Sequence, residues 1–259
     1  MTTARSCRAE NSPDTTGAYG VHRGGGATVI EMTSRPTALI TGASRGVGAA
    51  VAHRLSETHD VLLGGRDEET LRKLAAELPG ASPWPAELTD YEGIAAAAAG
   101  IGELDVLVHS AGMIELGSVS DTGVDSWRRT FELNLFAVTE LTRTLLPALR
   151  ASAGHVVLIN SGAGMAAKPN WGSYAASKFA LRAYADVLRG EEATNGIRVT
   201  SVFPGRVATD MQREVRESEG GDFEPERYLR PESVADTVVS SVRAGSDAHM
   251  TEIVLRPDG

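Results

Sequence analysis

Between Pro36 and Glu57 the chain reads PTALITGASRGVGAAVAHRLSE: an apolar run, a glycine-rich turn, then a stretch whose Ala, Val and Leu recur at helical spacing. An apolar run without alternation suits a strand covered on both faces, and a helix directly after it opens a strand–helix–strand unit. Gly42, Gly46 and Gly48 leave room for a pyrophosphate to approach the backbone, and the helix N-terminus beyond them offers unpaired N–H groups to an anion. The turn therefore reads as a nucleotide cradle, spaced G-x-x-x-G-x-G rather than G-x-G-x-x-G. Gly42 to Gly46 also fits the G-x-S-x-G elbow of α/β-hydrolases, but such an elbow follows several strands, not the first, and leaves Gly48 unexplained.

The remainder alternates in the same way. HDVLLGGR reads as a second strand, and DEETLRKLAAELPG as a helix with acidic residues at its start and Pro-Gly as its stop. A short strand, SPWPAEL, an Ala-rich helix around YEGIAAAAAG and the apolar strand ELDVLVHSAG follow. SWRRTFELNLFAVTELTRTLLPALRAS predicts one long helix, HVVLIN a strand, SYAASKFALRAYADVLRGEEA a helix, and GIRVTSVFPGRVATDM a buried strand running into Pro204-Gly205. Residues 210–230 are charged, contain Gly220-Gly221, and suit a mobile lid over a substrate. Pro231-Glu232 opens a final helix, with proline at an allowed first-turn position, and TEIVLRP is a last strand. This order predicts an α/β chain: a single Rossmann-type domain over residues 35–259, a doubly wound parallel sheet with helices on both faces and a ligand crevice at the C-terminal ends of its strands. Residues 1–34 carry no sustained apolar period and read as a disordered N-terminal extension. Translation starting at Met32 is an alternative, because Arg23-Gly24-Gly25-Gly26 could be encoded by a purine-rich ribosome-binding site.

The chemistry concentrates in SGAGMAAKPNWGSYAASK, residues 161–178. Tyr174 and Lys178 stand four apart on one helix face, so a phenol and an ammonium are neighbours. Lowering a tyrosine pKa by ~3 units requires about 4 kcal/mol of selective phenolate stabilisation, which one cation at ~4 Å supplies at an effective dielectric of ~20. Ser161, just past HVVLIN, is expected at a strand end, where its hydroxyl can hold a carbonyl oxygen facing the phenol. The three side chains together would move a proton at an oxygen bound to carbon.

At these residues the chain resembles the short-chain dehydrogenase/reductase family, whose signature is a Ser followed by Tyr-x-x-x-Lys. The resemblance covers roughly residues 36–257 and six motifs in order. It implies hydride transfer between a nicotinamide cofactor and a carbonyl or alcohol carbon, with Tyr174 as acid/base, Ser161 orienting the oxygen, Lys178 lowering the tyrosine pKa and binding the nicotinamide ribose, and Asn134 holding a relay water. It places Gly42, Ser44, Arg45, Gly46, Val47 and Gly48 on the cofactor, with Glu87 and Leu88 near adenine, where Glu87 stands in for the usual Asp. Ser110, Ala111 and Gly112 would lie along the cofactor, Pro204, Gly205, Val207 and Thr209 would wrap the nicotinamide carboxamide, and Tyr174 and Lys178 would touch the cofactor as well. His109 replaces an Asn of the family pattern and is expected to serve structurally, since imidazole also offers one donor and one acceptor. Family members often pair through the two helices that carry Asn134 and Tyr174, so a homodimer or homotetramer is expected.

The second strand ends in Gly65 where an acid would hold a ribose 2′-hydroxyl, and Arg66 follows. With Arg45 it could bracket a 2′-phosphate, which favours NADP(H) over NAD(H) and reduction as the direction. A length of 259 residues with 42% hydrophobic content suits one α/β domain, and a net charge of −9 without a basic tract argues against nucleic acid. Cys7, the single cysteine, excludes an internal disulfide, and the six histidines show no metal-ligand spacing. With no apolar run near ~20 residues and no leader, a soluble cytoplasmic protein is expected. Met113, Ile114, Met165, Trp171, Met211 and Phe223 lie on segments near the expected crevice and together suggest an apolar pocket, although each taken singly reads as core rather than ligand contact. A non-catalytic NADP-responsive module on the same scaffold is the alternative, and the intact Ser, Tyr, Lys and Asn set argues against it.

Overall fold

The computed structural model describes residues 35–245 and 247–258. The predicted extension at residues 1–34 lies outside the described residues. The chain alternates strand and helix as the sequence pattern requires: β1 Thr37–Thr41, α1 Gly46–Leu55, β2 Asp60–Gly65, α2 Glu68–Glu77, β3 Ala81–Pro85, α3 Tyr91–Ala98 and β4 Val106–His109. The second half adds α4 Val124–Phe131, α5 Ala137–Ala151, β5 His155–Ile159, α6 Gly172–Glu192, β6 Arg198–Pro204, α7 Asp210–Ser218, α8 Pro231–Arg243 and β7 Glu252–Leu255.

All seven strands are parallel, in the order β3-β2-β1-β4-β5-β6-β7. The period-two alternation of strand side chains divides the core into two layers. Ala38, Ile40, Val61, Leu63, Val106 and Val108 face one way and pack with α1 and α8 through Val51, Leu55, Val234 and Val238. Leu39, Leu62, Leu107, Val156 and Leu158 face the other way, towards Leu141, Leu145, Leu149 on α5 and Leu181, Leu188 on α6. Covering both faces is what allows these strands to be apolar throughout.

The order in which strands are added reverses between β1 and β4, which are parallel neighbours, and the strand ends there are stapled together. The Thr41 hydroxyl accepts from Ser110 N (3.1 Å) and Ala111 N (3.2 Å). Gly42, at φ +66°, sits so close to the next strand end that a Cβ on it would lie 2.9 Å from Ala111 Cα. On Gly48 a Cβ would stand 2.2 Å from the Gly42 carbonyl oxygen. The space freed by these two glycines is therefore taken by the protein's own backbone, which draws α1 and the β4 end against the turn.

Two elements differ from the sequence expectation. The long helix predicted from Ser126 is broken into α4 and α5 by a π-helical turn, Glu132–Phe136, that contains Asn134. The Asn134 amide donates to Met113 O (2.9 Å) and Ser177 Oγ (3.1 Å) and accepts from Met113 N (2.8 Å), and this three-way tie accompanies the local widening of the helix. Residues 210–230 contain α7 and a 3-10 turn at Pro225–Arg227. Arg206 and Arg216 both hold Glu219, and Val207 bridges to Leu229, so the charged residues of this segment form specific ties.

Because the atom facing Gly48 is backbone and cannot swing aside, Gly48→Ala is expected to lower unfolding free energy by about 3 kcal/mol, the upper range for overpacking, as measured by urea denaturation.

Candidate active site

The residues singled out by the sequence converge on one cavity of about 900 Å³ at the C-terminal ends of the strands. Its lining includes the turn Gly42–Gly48, Arg66, Glu87 and Leu88, Ser110–Gly112, Ser161, Tyr174, Lys178, and Pro204, Gly205, Val207 and Thr209. Asn134 is the one expected site residue that does not line it; its amide is committed to Met113 and Ser177 behind the wall. His109 is buried away from the cavity with Nε2 2.9 Å from Thr142 Oγ1, and burial pushes its pKa down to about 3, which leaves it neutral. Of the apolar residues expected near the crevice, Met113, Ile114, Trp171 and Met211 line the cavity, whereas Met165 and Phe223 do not. Phe223 packs under the Arg213 guanidinium (4.2 Å to its ring centroid) and against Tyr228 instead.

The end of β5 and the start of α6 hold Ser161, Tyr174 and Lys178 on the cavity wall. β5 ends at Ile159, whose carbonyl accepts from Lys178 Nζ at 3.0 Å. Asn160 then bridges the two elements: Oδ1 accepts from Ser161 N (2.8 Å) and Nδ2 donates to Lys178 O (3.1 Å). Sequence reasoning passed over Asn160, though a lone amide closing an apolar strand beside Ser161 was a visible signal. Gly164 makes room for it, since a Cβ there would fall 2.5 Å from Asn160 Oδ1. The Ser161 hydroxyl accepts from Ala163 N at 3.1 Å and so caps a 3-10 turn at the cavity wall. Gly112 lies between Asn134 and Lys178, its side-chain position 3.1 Å from Asn134 Oδ1 and 3.9 Å from Lys178 Nζ.

The electrostatics of Tyr174 depart from the expectation that Lys178 makes the phenol acidic. Burial pushes the Tyr174 pKa up from its ordinary value, and the Ser161 hydroxyl opposes the shift only in part. Lys178 Nζ stands 5.9 Å from the phenol ring centroid, bonds Ile159 O, and is itself pushed by burial down to about 8. Removing both groups from water costs the charged forms more than their mutual attraction returns.

The other end of the cavity fits a dinucleotide. The N-terminus of α1 has no side-chain cap, so its first N–H groups remain open to an anion. Arg45 and Arg66 are exposed and only loosely paired, 3.8 Å from Asp210 and 3.7 Å from Glu87. Such pairs contribute about 0–1 kcal/mol each and release readily to a phosphate. Glu87 is held by Thr89 N (3.1 Å) and Oγ1 (2.9 Å), which turns its carboxylate back towards its own loop.

The profile of the family described as "short chain dehydrogenase" matches residues 36–220. The chain belongs to the short-chain dehydrogenase family. An uncharacterized oxidoreductase of Staphylococcus epidermidis is 31% identical over 227 residues, spanning 85% of this chain and 96% of its own length. A glycine betaine reductase of Emericella nidulans is 35% identical over 238 residues, 86% of this chain, although the match spans 19% of that larger protein. Among solved structures, a variant actinorhodin polyketide ketoreductase with NADPH superposes with a TM-score of 0.81 at 28% identity, covering 88% of this chain and 98% of that one. Membership of the short-chain dehydrogenase family supplies the oxidoreductase class, and several of the solved neighbours are complexes with NADP or NADPH.

The depressed pKa of Lys178 has a consequence for stability. Between pH 8 and its ordinary value of 10.5 the unfolded chain binds the proton that the folded chain has lost, so stability rises with pH across that window, and the full cost of the buried ammonium is present below it. That cost is roughly 3 kcal/mol, against about 1 kcal/mol for the bond to Ile159 O. Lys178→Met is therefore expected to be more stable than the parent by about 2 kcal/mol at pH 7, an advantage that urea titrations should show fading by about pH 10.

Proposed function

We propose that this short-chain dehydrogenase reduces a carbonyl carbon to an alcohol with NADPH. The observation that carries the reading is the convergence of Ser161, Tyr174 and Lys178 on a single cavity whose far end holds the open α1 N-terminus, Arg45 and Arg66. NADPH, held by the Gly42–Gly48 turn, Ser110–Gly112, the Pro204–Thr209 segment, Glu87 and Leu88, would supply the hydride. Arg45 and Arg66 would meet its 2′-phosphate, and no acid stands at Gly65 to favour a ribose hydroxyl.

Ser161 orients the substrate oxygen by hydrogen bonding, and Tyr174 delivers a proton to that oxygen as the carbon is reduced. A phenol kept protonated at neutral pH is a donor rather than a base, which supports carbonyl reduction over alcohol oxidation. Lys178, with a pKa of about 8, lies in the range where it can return a proton to the resulting phenolate. A relay water at Asn134 would be held by its main chain, because the side-chain amide is already bonded on both its atoms. The exposed Phe136, Phe179 and Val187, at the start of α5 and along α6, support a homodimer or homotetramer joined through those helices. A single cysteine in the chain supports a reducing, cytoplasmic location.

The test is NADPH absorbance followed across a panel of ketones and aldehydes. Tyr174→Phe is expected to lower kcat by about 10³-fold with NADPH binding retained, and turnover that survives this change overturns the mechanism. Cofactor binding without turnover of any compound would point to the regulatory alternative. Arg45→Ser combined with Arg66→Ser is expected to raise the NADPH Kd by about ten-fold or more while the NADH Kd moves less than about three-fold, as isothermal titration would read.

A further inference from the structure

We infer that the carbonyl substrate of this site carries a carboxylate, and that Arg256, assisted by Lys168, receives it beside Ser161. The inference rests on the reading of the cavity as a carbonyl-reducing site. It begins from charge: a chain of net charge −9 lines this cavity with seven Lys and Arg side chains against three carboxylates.

Most of those cations are accounted for. Each of the four other arginines in the lining has a carboxylate within 4.0 Å, and Lys178 is bonded to Ile159 O. Lys168 and Arg256 are different, because among the described residues neither has an acidic partner within that distance. Both belong to the Ser161 side of the cavity rather than to the Arg45–Arg66 end. A Cβ placed on Gly162 would lie 3.5 Å from Arg256 Nη2 and 3.6 Å from Cζ, so the guanidinium lies across the residue that follows Ser161. Lys168 Nζ stands 5.6 Å from the Trp171 ring centroid, and Trp171 meets the Tyr174 ring edge-on at 5.8 Å.

The guanidinium is also held ready. Its Nη1 donates to Phe203 O (2.9 Å) and Leu255 O (2.8 Å), two main-chain carbonyls at the ends of β6 and β7 that fix the plane of the group. Nη2 has only the Met165 sulfur at 4.0 Å, a weak acceptor. A planar fork anchored on one side and unspent on the other matches a carboxylate, with which arginine forms paired charge-assisted bonds. The apolar walls at Ile114, Trp171 and Met211 then face the body of the substrate, while its charged end points to Arg256.

The experiment compares acid and ester. Phenylpyruvate, levulinate and para-acetylbenzoate are each offered alongside their ethyl esters to the NADPH-loaded full-length protein, and to Arg256→Gln and Arg256→Lys. In the parent protein at least one acid is expected to exceed its ester about ten-fold or more in kcat/KM, mainly through KM, and the acid alone should lose rate as salt is raised. In Arg256→Gln the acid-to-ester ratio falls towards one, and Arg256→Lys recovers part of it. Isothermal titration of the same acids into the protein loaded with NADP+ gives a readout independent of turnover and should show the same ranking of variants. Esters reduced as well as or better than every acid, or a glutamine variant that depresses acid and ester equally, overturns the carboxylate assignment and leaves carbonyl reduction standing. A protein that binds NADPH but neither binds nor reduces any of the six compounds overturns both.

Discussion

The site is assembled around a buried ammonium. Lys178 reaches from the second turn of α6 to the carbonyl that ends β5, and that bond brings a helix and a strand end to one fixed separation. Asn160 locks the same junction from the other side, holding Ser161 N and Lys178 O with opposite ends of a single amide. Serine and phenol face one cavity because the elements that carry them are tied here. Burying a cation is unfavourable, and the Ile159 carbonyl offsets that cost only in part.

Electrostatics grade along the cavity. At the α1 end, arginines in loose, solvent-screened pairs can exchange a carboxylate for a phosphate at little cost. In the middle, burial dominates: the phenol is held protonated and the lysine is brought towards neutrality. Past Ser161 the cavity opens on cations without acidic partners among the described residues, set against apolar walls. One pocket thus presents three environments: loosely paired arginines, a buried phenol and lysine, and cations set against apolar walls.

Much of this architecture could be read from local patterns. The apolar runs of β1, β4 and β5, the acidic start and Pro-Gly stop of α2, and Pro231 at the start of α8 each state their element within a few residues. The π-turn at Glu132–Phe136 could not, because nothing in the apolar spacing of FELNLFAV marks it, and its ties come from Met113 and Ser177, distant in sequence. Which of the apolar residues near the crevice line it was not legible for a related reason: a position near a crevice does not say which way a side chain turns, and Arg213 and Tyr228 claim Phe223.

What the amino-acid sequence determined by itself was the order of elements, the glycine turn, and the presence of Ser161, Tyr174 and Lys178 at spacings that permit one site, since periodicity, turn residues and helical registry act over short stretches of chain. Only the tertiary structure decided which groups are buried, and burial reverses the sign of the shift that the Tyr–Lys spacing implied for the phenol. It also decided which arginines meet a carboxylate, placing Arg256, just past the last strand, beside Gly162 ninety-four positions earlier. Charge pairing and desolvation depend on distances through space, and those distances exist only once the sheet has closed its two layers.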